Sequence, residues 1–513
     1  MKQENDRALF DAITGIDDDL IAETADTPVQ NRRKPYWFAA VAAVLILAIG
    51  ISSFSPGGKE SPIPRKPTFL KTVLDIPTPV ALPEGMQLTS IQSPGSLGLV
   101  NLLASPEYPQ MIAKPNQEES VDIPYYDALY VYQKFQGDWV ENYRLAEKDI
   151  QNLDYFFLRS SQEFLSGEGN QVYSPLNTYL ALAMLAECTD GNSRQEILDL
   201  LGVSSIEVLR AQAQRIWYAS YFTDGVNFSL LANSIWLDDH FSFRTGTVEK
   251  LVNNYFASVF HGDLGSDDVN TQLRTWINSQ TGNLLTEQTK NIKLDDQTAL
   301  ALVSTLYFSA AWETEFQQSK NTDGTFHSPN GSYTTEFMNA IFSTVYFRGR
   351  NYGAIALPLE GEASGYMWLI LPDKGYSAQD ILRKRNWLDP SGWKIIQNAK
   401  VTLSLPKFDI SNQNDLLEGM QSLGIHDVFD GNASDFSAIS SSNGLYITAI
   451  DQAVRVGIDE EGVTGAAYTV IYNSYAGAPI REKKVDFILD RPFLFIITSR
   501  DGLPLFTGIV NEP

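Results

Sequence analysis

The stretch from Asp459 to Pro492, DEEGVTGAAYTVIYNSYAGAPIREKKVDFILDRP, constrains this chain most. It opens on three acids and Gly462, then carries no charged residue from Val463 to Ile480. An uncharged run of small and β-capable side chains reads as a buried strand or an aggregation hazard. Gly462, Gly465, Gly477 and Pro479 also punctuate it as a loop. One register holds Val463, Gly465, Ala467, Thr469 and Ile471, which are small or apolar. The other holds Thr464, Ala466, Tyr468, Val470 and Tyr472, which are bulkier and more polar. Side chains alternate faces along a strand, so this segment can lay one face on a packed interior. Two readings stay open, a loop able to become a strand and an ordinary edge hairpin.

Length and composition narrow the partners. A chain of 513 residues with 43% hydrophobic side chains has material for a large core and about three ordinary domains. A net charge of −24 makes nucleic acid an unfavourable partner. Cys188 is the lone cysteine, so no disulfide framework or cysteine-based metal cluster is expected. His240, His261, His327 and His426 lack ligand-like spacing and leave little for a histidine-based catalytic apparatus. No cofactor and no metal are expected.

The N-terminal part divides by composition. Residues 1–35 are polar and acidic and end in Arg32, Arg33, Lys34 and Pro35. The apolar run 36–54, opened by Tyr36, Trp37 and Phe38, would be roughly 28 Å long as a helix, near the thickness of a bilayer core. The basic flank predicts a single transmembrane helix with its N-terminus in the cytoplasm. A cleaved signal peptide is the rival, with Ala48 and Gly50 as small residues at its end. Pro56 to Pro124 holds 12 of the 24 prolines, so 55–144 is predicted to be an extended extracytoplasmic tether. Apolar clusters such as Leu97–Leu103 predict that parts of it dock on the next domain, and from Tyr125 the pattern turns helical.

Beyond Asn170 helical and strand patterns mix. Leu180–Ala186 reads as a buried helix, and Asn192–Ser193 as the cap of the next. Strand-like runs are expected at 229–237, 299–308, 353–359, 366–371, 401–405, 445–450, 487–497 and 505–510. No phosphate cradle, HExxH or GxSxG motif occurs. The pair Glu460–Glu461 reads as solvated acids beside a glycine, and Trp312 and Trp368 as core, so no catalytic residue is assigned.

Several segments in order carry a family resemblance. Phe487–Ile497 resembles the serpin signature strand. Tyr173–Asn177 with Leu180–Leu185 and Gly191–Ser193 is similar to the start of that family's first core helices. Trp276–Asn278 with Thr281–Leu285, Leu306–Phe308 with Trp312, Glu313 and Phe316, Leu403–Phe408, Leu423–Phe429, and Leu505–Asn511 complete the set. The resemblance covers about 145–513. It implies an α+β serpin fold, with mixed helices around three β-sheets and an exposed reactive-centre loop. Segment 1–35, the helix 36–54 and the tether 55–144 would precede it.

The resemblance also assigns roles. Glu460, Glu461, Gly462, Val463, Thr464, Gly465, Ala466 and Ala467 match the loop hinge, with Val463 where inhibitors commonly carry threonine and Gly465 where one of the alanines stands. Ser174, Ser304 and Asp451 match the shutter beneath the opening sheet, where the family usually has serine, asparagine and histidine. A count of about fourteen residues from Gly462 gives Ala476–Gly477 as the reactive bond, while a count back from the signature strand points to Ala478 through Arg481. The implied function is suicide inhibition of serine or cysteine proteases, elastase- or subtilisin-like ones first, by a monomer outside the cell. That monomer would be anchored through 36–54 or secreted. The leader around Ala12–Asp17 is similar to membrane-anchored bacterial regulators. A non-inhibitory binding or adhesion protein on the same fold is the alternative. A hydrolase is disfavoured by the lack of a nucleophile–base set.

Overall fold

A computed structural model describes residues 41–51, 88–89, 101–116, 124–150, 152–361, 364–384, 387–388, 394–463 and 483–513. Its centre is a sheet of long strands. These are β1 (Val41–Ile51), β2 (Asn101–Ala104), β3 (Phe228–Asp238), β4 (Ala257–Gly262), β5 (Thr298–Ala311), β6 (Phe408–Asp415) and β7 (Leu445–Ile458). They lie in the order β6-β7-β1-β5-β3-β4-β2, and β8 (Gly462–Val463) pairs with the end of β5. Thirteen of the fourteen residues of β5 are buried, as expected of a central strand covered on both faces.

The helix α2 (Pro175–Cys188) is buried along its whole length and packs beneath β5 and β1. Pro175 opens it, where a missing N–H costs nothing. On the opposite face lies α4 (Asp267–Gln280), started by Ser266, whose Oγ accepts from the Val269 amide. It lays Val269, Leu273, Trp276 and Ile277 over the sheet.

A second sheet runs from Lys483–Ile488 through Lys394–Pro406, Gly331–Gly349, Tyr352–Pro358, Tyr366–Pro372, Phe493–Thr498 and Pro504–Val510 to Gln171–Tyr173. Among the described residues a third sheet is a two-stranded pair, Leu88–Thr89 with Met111–Ile112. Gly331–Gly349 pairs with Lys394–Pro406 along most of its length and with Tyr352–Pro358 at its end. Each strand read from sequence is found, most within a few residues, while Ala257–Gly262, Thr322–Ser328, Gly331–Gly349 and Phe408–Asp415 were not read. The run 401–405 begins seven residues earlier, at Lys394, and two further differences stand out. β7 continues eight residues beyond Ile450, and the run 487–497 breaks at Leu489–Pro492. Pro492 cannot donate to a ladder, which accounts for that break.

Two expectations for the N-terminal part need correction. The stretch predicted as an extended tether is folded against the body over 101–116 and 124–143. β2 adds to the edge of β4, and Leu102 packs against the core above the sheet. Helix α1 (Tyr125–Tyr143) buries Ala128, Tyr132, Phe135, Gln136, Trp139 and Tyr143 at helical spacing and rests on α3 (Ile206–Ser220). Tyr143 stacks on Tyr218 at 4.7 Å, and the Tyr132 hydroxyl donates to Asp224 at 2.6 Å.

The other correction concerns 36–54. Val41–Ile51 is a strand, and no helix among the described residues is long and apolar enough to cross a membrane. An unbroken apolar run satisfies a bilayer and a strand covered on both faces equally well.

Candidate functional site

The base of the uncharged loop is held by a local network. The Asp459 carboxylate accepts from the amides of Glu461 at 2.9 Å and Gly462 at 3.2 Å, folding the acids into a tight turn. The Trp312 indole Nε1 donates to the Asp459 carbonyl at 2.9 Å, and the Trp312 amide to the Glu461 carbonyl at 3.1 Å. Glu460 receives Lys407 Nζ at 2.7 Å and Asn321 Nδ2 at 2.5 Å. Lys407 also reaches Glu336 at 2.6 Å. Asp459 and Glu460 therefore clasp the loop base to the end of β5 and to Lys407, just before β6, while exposed Glu461 bonds Trp312 through its backbone carbonyl.

Electrostatics follows from that geometry. Burial pushes the Asp459 carboxyl above the usual range, outweighing its two amide bonds. For Glu460 burial works in the same direction. The Lys407 ion pair and the Asn321 bond overcome it and hold the carboxyl below the usual glutamate range. A lowered folded value means that the clasp contributes fully above the unfolded glutamate pKa and is lost as pH falls through the folded value. Lys407→Ala is expected to cost about 1 kcal/mol, since the pair is partly exposed. The difference from the parent chain should shrink below about pH 4. Urea denaturation at pH 7 and at pH 3.5 checks both points.

Beyond the clasp the chain turns onto the sheet. Gly462 pairs with Ala311 and Val463 with Ala310, antiparallel, and the Val463 side chain is fully buried. Thr464, Gly465, Ala466, Ala467, Ala476 and Gly477 lie outside the described residues.

Below these two rungs is the gap between β5 and β7, and β1 fills it. β1 runs antiparallel to both neighbours, from Val41 opposite Phe308 to Gly50 opposite Thr298 on one side. On the other side it runs from Ala42 opposite Arg455 to Ile51 opposite Leu445. Ala43, Leu45, Leu47 and Ile49 join the core under the sheet; Ala42, Val44, Ile46 and Ala48 join the cluster with Trp236, Phe260 and Trp276 above it.

Polar groups under the gap link the sheet to α2. The Ser174 hydroxyl donates to the Leu505 carbonyl at 2.7 Å, and Asn177 Nδ2 donates to Ser304 Oγ at 2.9 Å. Gln452 accepts from the Ser174 amide at 3.1 Å and donates to the Ser174 carbonyl and Thr178 Oγ1, both at 3.1 Å. Ser174 and Ser304 are thus brought into one layer, with Leu45 of β1 opposite both Ser304 and Gln452. Asp451 is not in that layer. Strand alternation points it to the other face, beside Asp415, where burial and that second carboxylate raise its carboxyl above the usual range. The network residue is its neighbour Gln452, with Asn177 and Thr178 from the first turn of α2. The sequence signal for Gln452 is a polar residue whose neighbours on the same strand face, Ile450 and Val454, are apolar.

Comparisons with known proteins agree with this geometry. The family model described as Serpin (serine protease inhibitor) matches residues 153–513. Serpin-ZXA of Oryza sativa subsp. japonica is 29% identical over 360 residues, covering 67% of this chain and 90% of that protein. Plasminogen activator inhibitor 1 of Neovison vison is 28% identical over 363 residues, covering 68% and 88%. The crystal structure of the thermophilic serpin Tengpin in its native state superposes with a TM-score of 0.63 at 26% identity, covering 72% of this chain and 95% of that one.

Proposed function

This chain belongs to the serpin family, a family mostly of protease inhibitors, and on that premise we propose that it traps a serine-type endopeptidase as a suicide substrate. One observation carries the reading. The loop base is clasped at the head of a slot between β5 and β7, and its first two residues are already paired on β5. The segment beyond them has no charge before Arg481, so nothing in it opposes burial as a strand.

The chemistry is acyl transfer. The protease serine attacks the carbonyl carbon of Ala476, the Ala476–Gly477 bond breaks, and Gly477 leaves as an amine carrying the transferred proton. The ester that remains links the enzyme to the upstream half of the loop. Insertion of that half between β5 and β7 would carry the enzyme away from its docking pose before water completes hydrolysis. A small residue at the cleaved position fits the shallow specificity pockets of elastase- and subtilisin-like enzymes, whereas trypsin-like enzymes require Arg or Lys. Serine enzymes are the first targets and cysteine enzymes the second; the chain acts as a monomer. The folded part works outside the cell.

A panel of elastase-, subtilisin-, trypsin- and papain-like enzymes tests this. The expected result is an SDS-stable band with an elastase- or subtilisin-like enzyme and a released fragment beginning at Gly477. A fragment beginning at Glu482, with trypsin best trapped, would move the reactive bond to Arg481.

One observation favours the second reading, a non-inhibitory surface-interaction protein on the same scaffold. β1 already fills the slot that the loop needs. The two readings separate when β1 is removed from the slot, since only an inhibitor then gains trapping activity.

A further inference from the structure

We propose that Val41–Ile51 is a resident occupant of the slot meant for the reactive loop. The chain is then blocked by its own N-terminal segment until that segment is withdrawn. The block on inhibition rests on the inhibitor reading above; the occupancy itself does not.

The register makes the competition specific. Gly462 and Val463 face Ala311 and Ala310. Continued down the same edge, that pairing would put Gly465 opposite Phe308 and each later residue one rung lower. Val41 already faces Phe308, and Ala42 and Ala43 face Tyr307 and Leu306, the rungs that Ala466 and Ala467 would take. Both segments run antiparallel to β5, so they compete rung for rung and in the same direction.

β1 is also the better filler. At the core-facing rungs it places Leu45, Leu47 and Ile49, each no more than 1% exposed. The loop would place Thr469, Ile471 and Asn473 there, and an amide at the rung of Ile49, between Leu300 and Ile447, would need partners that those aliphatic side chains do not supply. The fit at the far end is close. A Cβ on Gly50 would lie 2.8 Å from Thr448 Cγ2 and 3.1 Å from the Gln297 carbonyl oxygen. The Thr448 hydroxyl donates to the Ala48 carbonyl at 3.2 Å. Residues 52–100 give ample chain to reach β2 at the opposite edge.

Two measurements on the full-length chain test occupancy without any protease. In an Ala43→Cys/Leu306→Cys chain, residues that face each other across β1 and β5 should crosslink within one molecule under mild oxidation. A labelled peptide with the sequence of Thr464–Tyr475 should enter the parent chain at least tenfold more slowly than Leu47→Asp, where charge expels β1. Gly50→Val, which expels it by crowding, should match Leu47→Asp, and Leu47→Ile should match the parent. Absence of the crosslink, or equal peptide uptake by the parent and both expelled variants, overturns the proposal. If the crosslink forms and the peptide is excluded, yet neither expelled variant traps any protease, occupancy stands and the inhibitor reading fails.

Discussion

Val463→Arg is expected to convert a trap into a substrate. The Val463 side chain is fully buried opposite Ala310, itself 1% exposed, at the point where the loop turns onto β5. An unpaired guanidinium buried there would cost about 3–5 kcal/mol, so the hinge should leave β5 rather than lead the loop into the sheet. At 1.4 kcal/mol per tenfold, trapping should fall by about a hundredfold or more. Cleavage should continue, because the loop remains available to the protease while its hinge cannot enter. The ratio of SDS-stable complex to cleaved chain reads this directly, and unchanged trapping would rule out insertion at this hinge. The crosslink between β1 and β5 should be unaffected, since it lies below the hinge rungs.

Leu47→Asp carries the other large effect, on stability. Leu47 sits between Leu302 and Ile450, all three nearly or fully inaccessible to water. A carboxylate cannot stay there, so β1 should leave the slot and its apolar contacts should be lost together. The expected loss is about 3 kcal/mol, seen as a fall of about 5 °C or more in melting temperature. Leu47→Ile should cost less than about 1.5 kcal/mol. A melting curve for Leu47→Asp that overlays the parent would mean that β1 adds nothing to the folded body.

Where the sequence and the fold agree, the signal was local. The helical pattern of α1 was visible because Leu129, Tyr130, Tyr132 and Phe135 recur; Tyr132 and Phe135 are buried and Tyr130 is exposed. The loop mouth at Gly462 was visible, whereas the clasp was not, because the Glu460 partners Lys407 and Asn321 lie far upstream in the chain. Within the run 487–497, Phe493–Ile497 was visible as an unbroken apolar stretch that follows Asp490 and Arg491.

Where they differ, the deciding fact was elsewhere in the chain. Nothing in Val41–Ile51 distinguishes a membrane helix from a strand covered on both faces. Its partners, β5 and β7, lie hundreds of residues downstream. The shutter assignment failed by a single step, because moving one residue along a strand moves a side chain to the opposite face, which exchanged Gln452 for Asp451. The docking of Leu97–Leu103 and the helical pattern from Tyr125 were legible, but twelve prolines made the whole interval read as a tether, and the pairing of β2 with β4 depends on residues far downstream.

The central claim is that a loop clasped at Glu460–Val463 inserts between β5 and β7 to trap a protease once β1 has left. Its most direct measurement is incubation of the parent chain and Leu47→Asp, side by side, with an elastase-like enzyme. SDS gels and N-terminal sequencing of the released fragment then read the products. The predicted result is a strong SDS-stable complex for Leu47→Asp, one at least tenfold weaker for the parent chain, and a fragment beginning at Gly477 in both. Cleavage at that bond in both chains with no SDS-stable complex in either would contradict it.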